Sequence, residues 1–372
     1  MPESSLGLTY ASYKDEPFLT ANMQIWLRDR AVDQIFDGVT LFKWLTGRDQ
    51  TDMSIDQVVS KGTLEYRDGG QSIDVPLLTG TNSTVQSYHQ YQTIDTTPQA
   101  GIGPSMIDWR EYAVTITISK FEELVNMDSK SRVINLLQTK QLQAEKSIID
   151  RLNSDCWKGD ANPQTGAPAG KTNTTDLEGV PYWVGALPTS STNIAGINQS
   201  TYSFWRNQYN GTSQVVTSTT PSFAAEGKND IQLLAMEASG GPGLDEIDSL
   251  FTTKTTFNYI WDSLEDMRRY SSGDVGDVGY KRLSFQGIPV FWDPALSSAT
   301  DSGSAVFNVV YGLNSDYWKL VVHRDAFLKS EGFRSPTNQT AKTAIIMAML
   351  NLVCMSRRRQ FVLYGIAASG GL

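Results

Sequence analysis

Histidine and cysteine are nearly missing from this sequence, with two of each in 372 residues. Chemistry that depends on an imidazole or a thiolate therefore has little material. His89 and His323 have no cysteine or carboxylate at ligand spacing, so neither a zinc site nor a histidine-dependent triad is expected. Cys156 and Cys354 sit among apolar neighbours and read as core thiols rather than a disulfide or a metal pair. Long apolar runs are missing too. No window reaches the ~20 residues of a membrane span, and the nearest, residues 341–355, is interrupted by Lys342 and Asn351. The opening residues lack a basic stretch followed by an apolar one, so no export signal is expected. Positive charge is not in surplus: Lys+Arg 31 stand against Asp+Glu 40, a net charge of -9, which argues against a reader of nucleic-acid sequence.

The remaining chemical motifs are thin. Gly101-x-Gly103 and Gly241-x-Gly243 lack the lysine of a phosphate loop and read as turns. The repeat at Asp274 and Asp277 has no glutamate to close a calcium loop and reads as a solvated turn. Adjacent acids such as Asp245 and Glu246 diverge on a helix or loop, unlike the opposed pair of a glycosidase. We therefore expect no catalytic residue, no metal site and no cofactor.

What is present is the makings of a large core: 40% of residues are hydrophobic and 10% aromatic. The stretch from Ser119 to Gly159 organises the rest. Ser119 and Glu122 have the spacing of a capping box, which predicts a helix start. Val133, Leu137, Ala144, Ile148 and Leu152 then recur at helical intervals, with Cys156 extending the stripe and Gly159 as the stop. A helix from Asp128 to Lys158 would run roughly 45 Å at about 1.5 Å per residue. Between Lys130 and Lys158 six bases face three acids, a local reversal of the global sign.

Before this helix, residues 1–20 read as an extended arm, and Asn22 to Phe36 as a short helix. From Lys61 onward, short alternating runs are broken by turn residues. The clearest strand puts Arg110, Tyr112, Val114, Ile116 and Ile118 on one face and Glu111, Ala113, Thr115 and Thr117 on the other. Between Gln86 and Ile94 the alternation carries polar or aromatic residues on both faces, so a hairpin here has no core of its own and needs a partner. After the long helix we expect irregular strands with a surface insertion over Asp160–Glu226, and a helix over Asp230–Ala238. A strand near Asp248–Thr253 follows, then a helix over Lys254–Tyr270 and a strand over Tyr280–Trp292. Strands over Ala305–Tyr311, Trp318–Arg324 and Ala344–Ile366 complete an α+β chain. Arg357, Arg358 and Arg359 fall within the last apolar stretch, where a strand would put the outer two on one face, toward a neighbouring subunit or a polyanion.

This order of elements resembles the major capsid proteins of tailed bacteriophages, the Hong Kong 97 fold. Four stretches carry the resemblance. They are the excursion ending in Asp108-Trp-Arg-Glu-Tyr-Ala-Val-Thr-Ile-Thr-Ile-Ser-Lys, the strand Tyr280-Lys-Arg-Leu-Ser-Phe-Gln-Gly-Ile-Pro-Val-Phe, the segment Val310-Tyr-Gly-Leu-Asn-Ser-Asp-Tyr-Trp, and the end from Thr343 to Ile366. By that likeness, residues 1–60 are an N-terminal arm and short helix, and 61–118 an extended β-hairpin loop. Residues 119–159 are the spine helix of a peripheral domain, 160–335 an axial domain with insertions, and 336–372 closing strands. The resemblance implies a coat protein, not an enzyme, that assembles with itself into pentamers and hexamers around double-stranded DNA. It also implies a portal, a separate scaffolding protein, a possible decoration protein, no membrane, assembly in the host cytoplasm and residence in the virion. Tyr88, His89 and Tyr91 become expected inter-subunit contacts of the extended loop; Lys140, Lys146 and Arg151 become expected inner-surface residues facing DNA. No lysine occurs between Lys61 and Lys120, so a lysine crosslink through the loop is not expected. An encapsulin-like nanocompartment shares the fold and stands as the alternative, with a β-rich carbohydrate-active protein more distant.

Overall fold

The computed structural model describes residues 40–46, 64–125, 130–158, 175–186, 188–209, 227–241, 243–268, 283–296, 309–336 and 339–364. The expected arm and first helix lie outside them, as do Gly159, the acidic repeat near Asp274 and parts of the 160–226 insertion.

In chain order the first half holds α1 (Thr40–Thr46), β1 (Leu64–Arg67), β2 (Ile73–Leu78), β3 (Ile102–Ile107), β4 (Arg110–Ser119), α2 (Lys120–Val125) and α3 (Lys130–Cys156). Then come α4 (Val180–Trp183), β5 (Asn193–Ile194), β6 (Ile197–Asn198), β7 (Gln208–Tyr209), α5 (Lys228–Ala238), β8 (Ser249–Thr252) and α6 (Lys254–Arg268). The last part is strand-rich: β9 (Leu283–Phe285), β10 (Ile288–Trp292), β11 (Val310–Leu313), β12 (Trp318–His323), β13 (Lys329–Arg334), β14 (Ala341–Cys354) and β15 (Phe361–Leu363).

The capping box forms as its spacing predicts: the Glu122 amide donates to Ser119 Oγ at 3.1 Å, and the Ser119 amide donates to Glu122 Oε2 at 3.2 Å. Two of the four orphan donors at the helix start are thereby satisfied. That start belongs to the short α2, and the predicted stripe lies on the separate α3, buried where the side chains are described, at Ala144, Ile148, Leu152 and Cys156.

Two sheets make the body. One holds β1, β12, β14 and β13 in that order, with β4 on the other side of β14; its pairs are antiparallel except β1 with β12. The fourteen-residue β14 is long enough to serve β13 with its first half and β12 with its second while β4 runs along its opposite edge. The other sheet runs β7-β15-β11-β8-β10-β9. Two short connections cross between the sheets, from β11 to β12 and from β14 to β15, and buried Gln360 ties them together. Its Oε1 accepts from the Asn314 amide at 2.9 Å and from Trp318 Nε1 at 3.0 Å. A continuous core then spans both sheets, anchored by Trp157, Trp183 and Trp318.

Three expectations change. The stretch Tyr280–Trp292 is not one strand: β9 and β10 form an antiparallel hairpin, because Gln286 and Gly287 take φ of 51° and 86°, the mirror-image turn that two-residue hairpins favour. β1 and β4 belong to the five-stranded sheet, so the part of the chain that leaves the body spans residues 68–109 rather than 61–118. The three arginines do not form a strand but a 3₁₀ turn.

Candidate functional site

The excursion is built as a hairpin with a wet end. β2 and β3 pair antiparallel from Ile73↔Ile107 to Leu78↔Ile102. At the base Ile73, Val75 and Ile107 enter the core, and the Met106 amide donates to Ala195 O at 3.1 Å. At the far end Leu78 and Ile102 are exposed. Beyond them residues 79–101 form no strand, and every side chain from Val85 to Ala100 is exposed. Local bonds shape this loop: Asn82 Oδ1 accepts from Thr84, Asp95 Oδ1 accepts from Thr97, and Gln86 Nε2 donates to Thr93 O at 3.1 Å. The Thr97 hydroxyl and amide hold the Asp95 carboxyl below its ordinary range. The alternation of Gln86–Ile94 therefore makes no ladder of its own, since neither face has an apolar row to bury. Tyr88 and Tyr91 stand 56% and 96% exposed, and His89 is exposed between them.

The bases of α3 are placed differently from one another. Lys140 Nζ donates to Glu122 Oε2 at 2.9 Å and to Thr117 O at 3.2 Å, on the helix side facing β4. Arg151 bridges Asp155 at 2.8 Å and Asp176 at 3.1 Å, while Lys158 reaches the other oxygen of Asp155 at 2.6 Å. Asp155 is itself buried, and Tyr112 donates its hydroxyl to it at 3.0 Å. Burial first, and then Asp155, push the Tyr112 phenol far above its ordinary range. Lys146 is half-buried on the same helix. Lys140 and Arg151 thus carry their charge into ion pairs inside the chain.

The arginine turn corrects the expectation of an outward-facing pair most clearly. Arg357 is wholly buried. Its Nε donates to Trp183 O, its Nη1 to Trp205 O at 2.7 Å, and its Nη2 to Gln199 Oε1 at 3.1 Å and Asn207 Oδ1 at 3.2 Å. The guanidinium also lies 5.8 Å from the centre of the Trp205 ring. Burial draws its pKa down to about 10, which leaves it charged at neutral pH. Arg359 pairs with Asp245 at 3.2 Å, and Arg358 is exposed. One arginine thereby stitches the irregular 183–207 segment, rich in serine, threonine and asparagine, to the end of the sheet. Sequence reasoning missed it because a buried arginine is rare and the flanking apolar residues read as a strand. Its only signal was the position of a base inside an otherwise apolar run.

Cys156 and Cys354 are buried and unbridged, and burial pushes the Cys354 thiol up to about 12. Among the described residues no group of three His, Cys, Asp or Glu side chains is arranged to hold a metal ion, and no helix is long and apolar enough to cross a membrane.

No protein-family model matches the chain, and no curated protein matches it. Solved structures do. A chain of the cyanophage A-1(L) capsid asymmetric unit superposes with a TM-score of 0.60 at 12% identity, covering 94% of this chain and 99% of that one. A chain of Gordonia phage Cozz gives 0.53 at 12% identity, over 99% and 98%. The capsid of Myoviridae phage XM1 gives 0.50 at 11%, over 93% and 98%. The chain is a mixed α+β protein with the fold of these phage capsid structures.

Proposed function

From that fold we propose that this chain is the major capsid protein of a tailed bacteriophage, assembling into pentamers and hexamers that close an icosahedral shell around double-stranded DNA. Fold alone does not fix function. The observation that carries the proposal is the loop of residues 79–101, exposed at every position from Val85 to Ala100 on a body whose two sheets are otherwise well packed. Surface of this kind is costly to a monomer and useful to a subunit whose neighbours cover it.

On this proposal the five-stranded sheet with α3 is the peripheral domain, and the six-stranded sheet with α5 and α6 is the axial one. Tyr88, His89 and Tyr91 contact a neighbouring subunit, and Lys140, Lys146 and Arg151 lie on the DNA side. Because Lys140, Arg151 and Lys158 already pair with Glu122, Asp155 and Asp176, they keep that wall close to neutral rather than gripping phosphate. A weak grip suits a container that must be filled and emptied. A portal and a separate scaffolding protein are partners on the same proposal, and no enzyme activity is assigned to the chain.

Negative-stain electron microscopy of particles purified from cells that make the chain together with its partners, with nuclease protection of their contents, is the test. Closed shells holding nuclease-resistant double-stranded DNA support the proposal. Shells that hold an enzyme cargo instead favour a nanocompartment, and a monomer that binds sugar overturns both. With no lysine between Lys61 and Lys120, denaturing gels of the shells should run as monomer, without covalent multimers.

A further inference from the structure

Two halves of an unmade β-ladder are present in the one chain. The first is the outer edge of β4. Its register with β14 runs from Leu350↔Arg110 to Ala341↔Ser119, and the Lys120 amide continues the ladder by donating to Thr340 O at 2.8 Å. In an antiparallel pair, alternate residues bond the partner strand. The parity fixed at Lys120 turns Tyr112, Val114, Ile116 and Ile118 toward β14, and turns the N–H and C=O groups of Glu111, Ala113, Thr115 and Thr117 away from it. The Thr117 carbonyl accordingly accepts from Lys140 Nζ on that outer side. Among the described residues no strand pairs with this edge. Alongside it runs a groove of about 310 Å³ between β4 and α3, bounded by Thr115, Thr117, Gln143 and Ser147. An edge with no partner strand among the described residues, its Thr117 carbonyl alone taken by Lys140, is a template for another strand.

The second half is the segment Val85–Ile94. It contains no glycine, proline or charged residue, and valine, tyrosine, threonine and isoleucine are spread along it, a composition that favours strands. It is exposed throughout, and among its amides only Gln92 N–H makes a backbone bond in the described structure, to His89 O at 2.8 Å. An uncharged strand can lie beside the Lys140–Glu122 pair without repulsion.

We propose that Val85–Ile94 of one subunit adds as a strand to the outer edge of β4 in the next, seated in the groove beside α3. Every copy carries one donor and one acceptor, so a ring of subunits satisfies all of them in a head-to-tail contact that closes on itself. Backbone bonds supply the affinity, and the side chains alternating into the groove set the register. The inference rests on the shell proposal above and names the surface on which the excursion lands.

Paired cysteines test it, because both native thiols are buried and unbridged. Thr115→Cys is combined in turn with Ser87→Cys, Tyr88→Cys, His89→Cys, Gln90→Cys and Tyr91→Cys. Shells oxidised and run on non-reducing denaturing gels should show multimer ladders for positions of one parity and not the other. Closed shells with no ladder for any pair, or with equal ladders for both parities, overturn the proposal. A second variant, Thr115→Pro, removes an outward amide that does not serve β14. It should leave the circular dichroism of the subunit unchanged while cutting shell yield about tenfold, the effect of roughly one lost hydrogen bond. Full shell yield from Thr115→Pro overturns the strand addition but leaves the shell proposal standing. Absence of shells when the unmodified chain is produced together with its scaffolding protein overturns both.

Discussion

The excursion and the body of this molecule are made from similar residues put to opposite uses. In the body, Trp157, Trp183 and Trp318 are wholly buried, and even an arginine is enclosed by four neutral acceptors. At the tip of the excursion, Tyr88 and Tyr91 stand in water, and between Val85 and Ile94 the hydrogen bonds stay within the segment, the longest joining Gln86 to Thr93. The difference is one of accounting for polar groups. The body pairs most of its polar groups internally, whereas the loop leaves a row of backbone groups and aromatic surface for something outside the chain.

That contrast can be broken from the body's side first. Arg357→Ala strands four buried acceptors and should cost about 3–5 kcal/mol in denaturant unfolding of the dissociated subunit, the largest effect expected. Arg357→Lys should recover little of it, since an ammonium cannot reach the same four partners. Gly312→Ala comes next. A Cβ there would lie 2.0 Å from the Phe361 ring, and with Phe361 fixed in β15 the overpacking should cost about 2–3 kcal/mol. Ser119→Ala removes half of the capping box and should cost about 1 kcal/mol, visible as a lower midpoint with an unchanged slope. Tyr91→Ala sharpens the comparison from the other side: subunit stability should stay within about 0.5 kcal/mol while assembly weakens, as sizing and electron microscopy would show.

Much of this was legible in the sequence, and the exceptions share a cause. The capping box, the buried stripe of α3 and the two-faced strand β4 each follow from spacing within one element, and the buried thiols from their apolar neighbours. What could not be read depended on contacts across the chain. Arg357 meets Trp183, Trp205, Gln199 and Asn207, more than 140 positions away in sequence, and nothing local distinguishes it from Arg358. Gln286-Gly287 hid a hairpin because a two-residue mirror turn occupies so little sequence. For the candidate surface, the absence of an apolar face on Gln86–Ile94 was visible and remains the chief clue. The strand expected there does not form, because alternation supplies a ladder only when one face has something to bury against.

Hydrogen–deuterium exchange over residues 79–101, in the dissociated subunit and again in the assembled particle, tests most directly whether the excursion takes its order from a neighbour. The amides of Val85–Ile94 should exchange fast in the subunit and slow by more than about tenfold on assembly, while β14 is protected in both. Protection already present in the lone subunit, or none gained in the shell, would contradict the account.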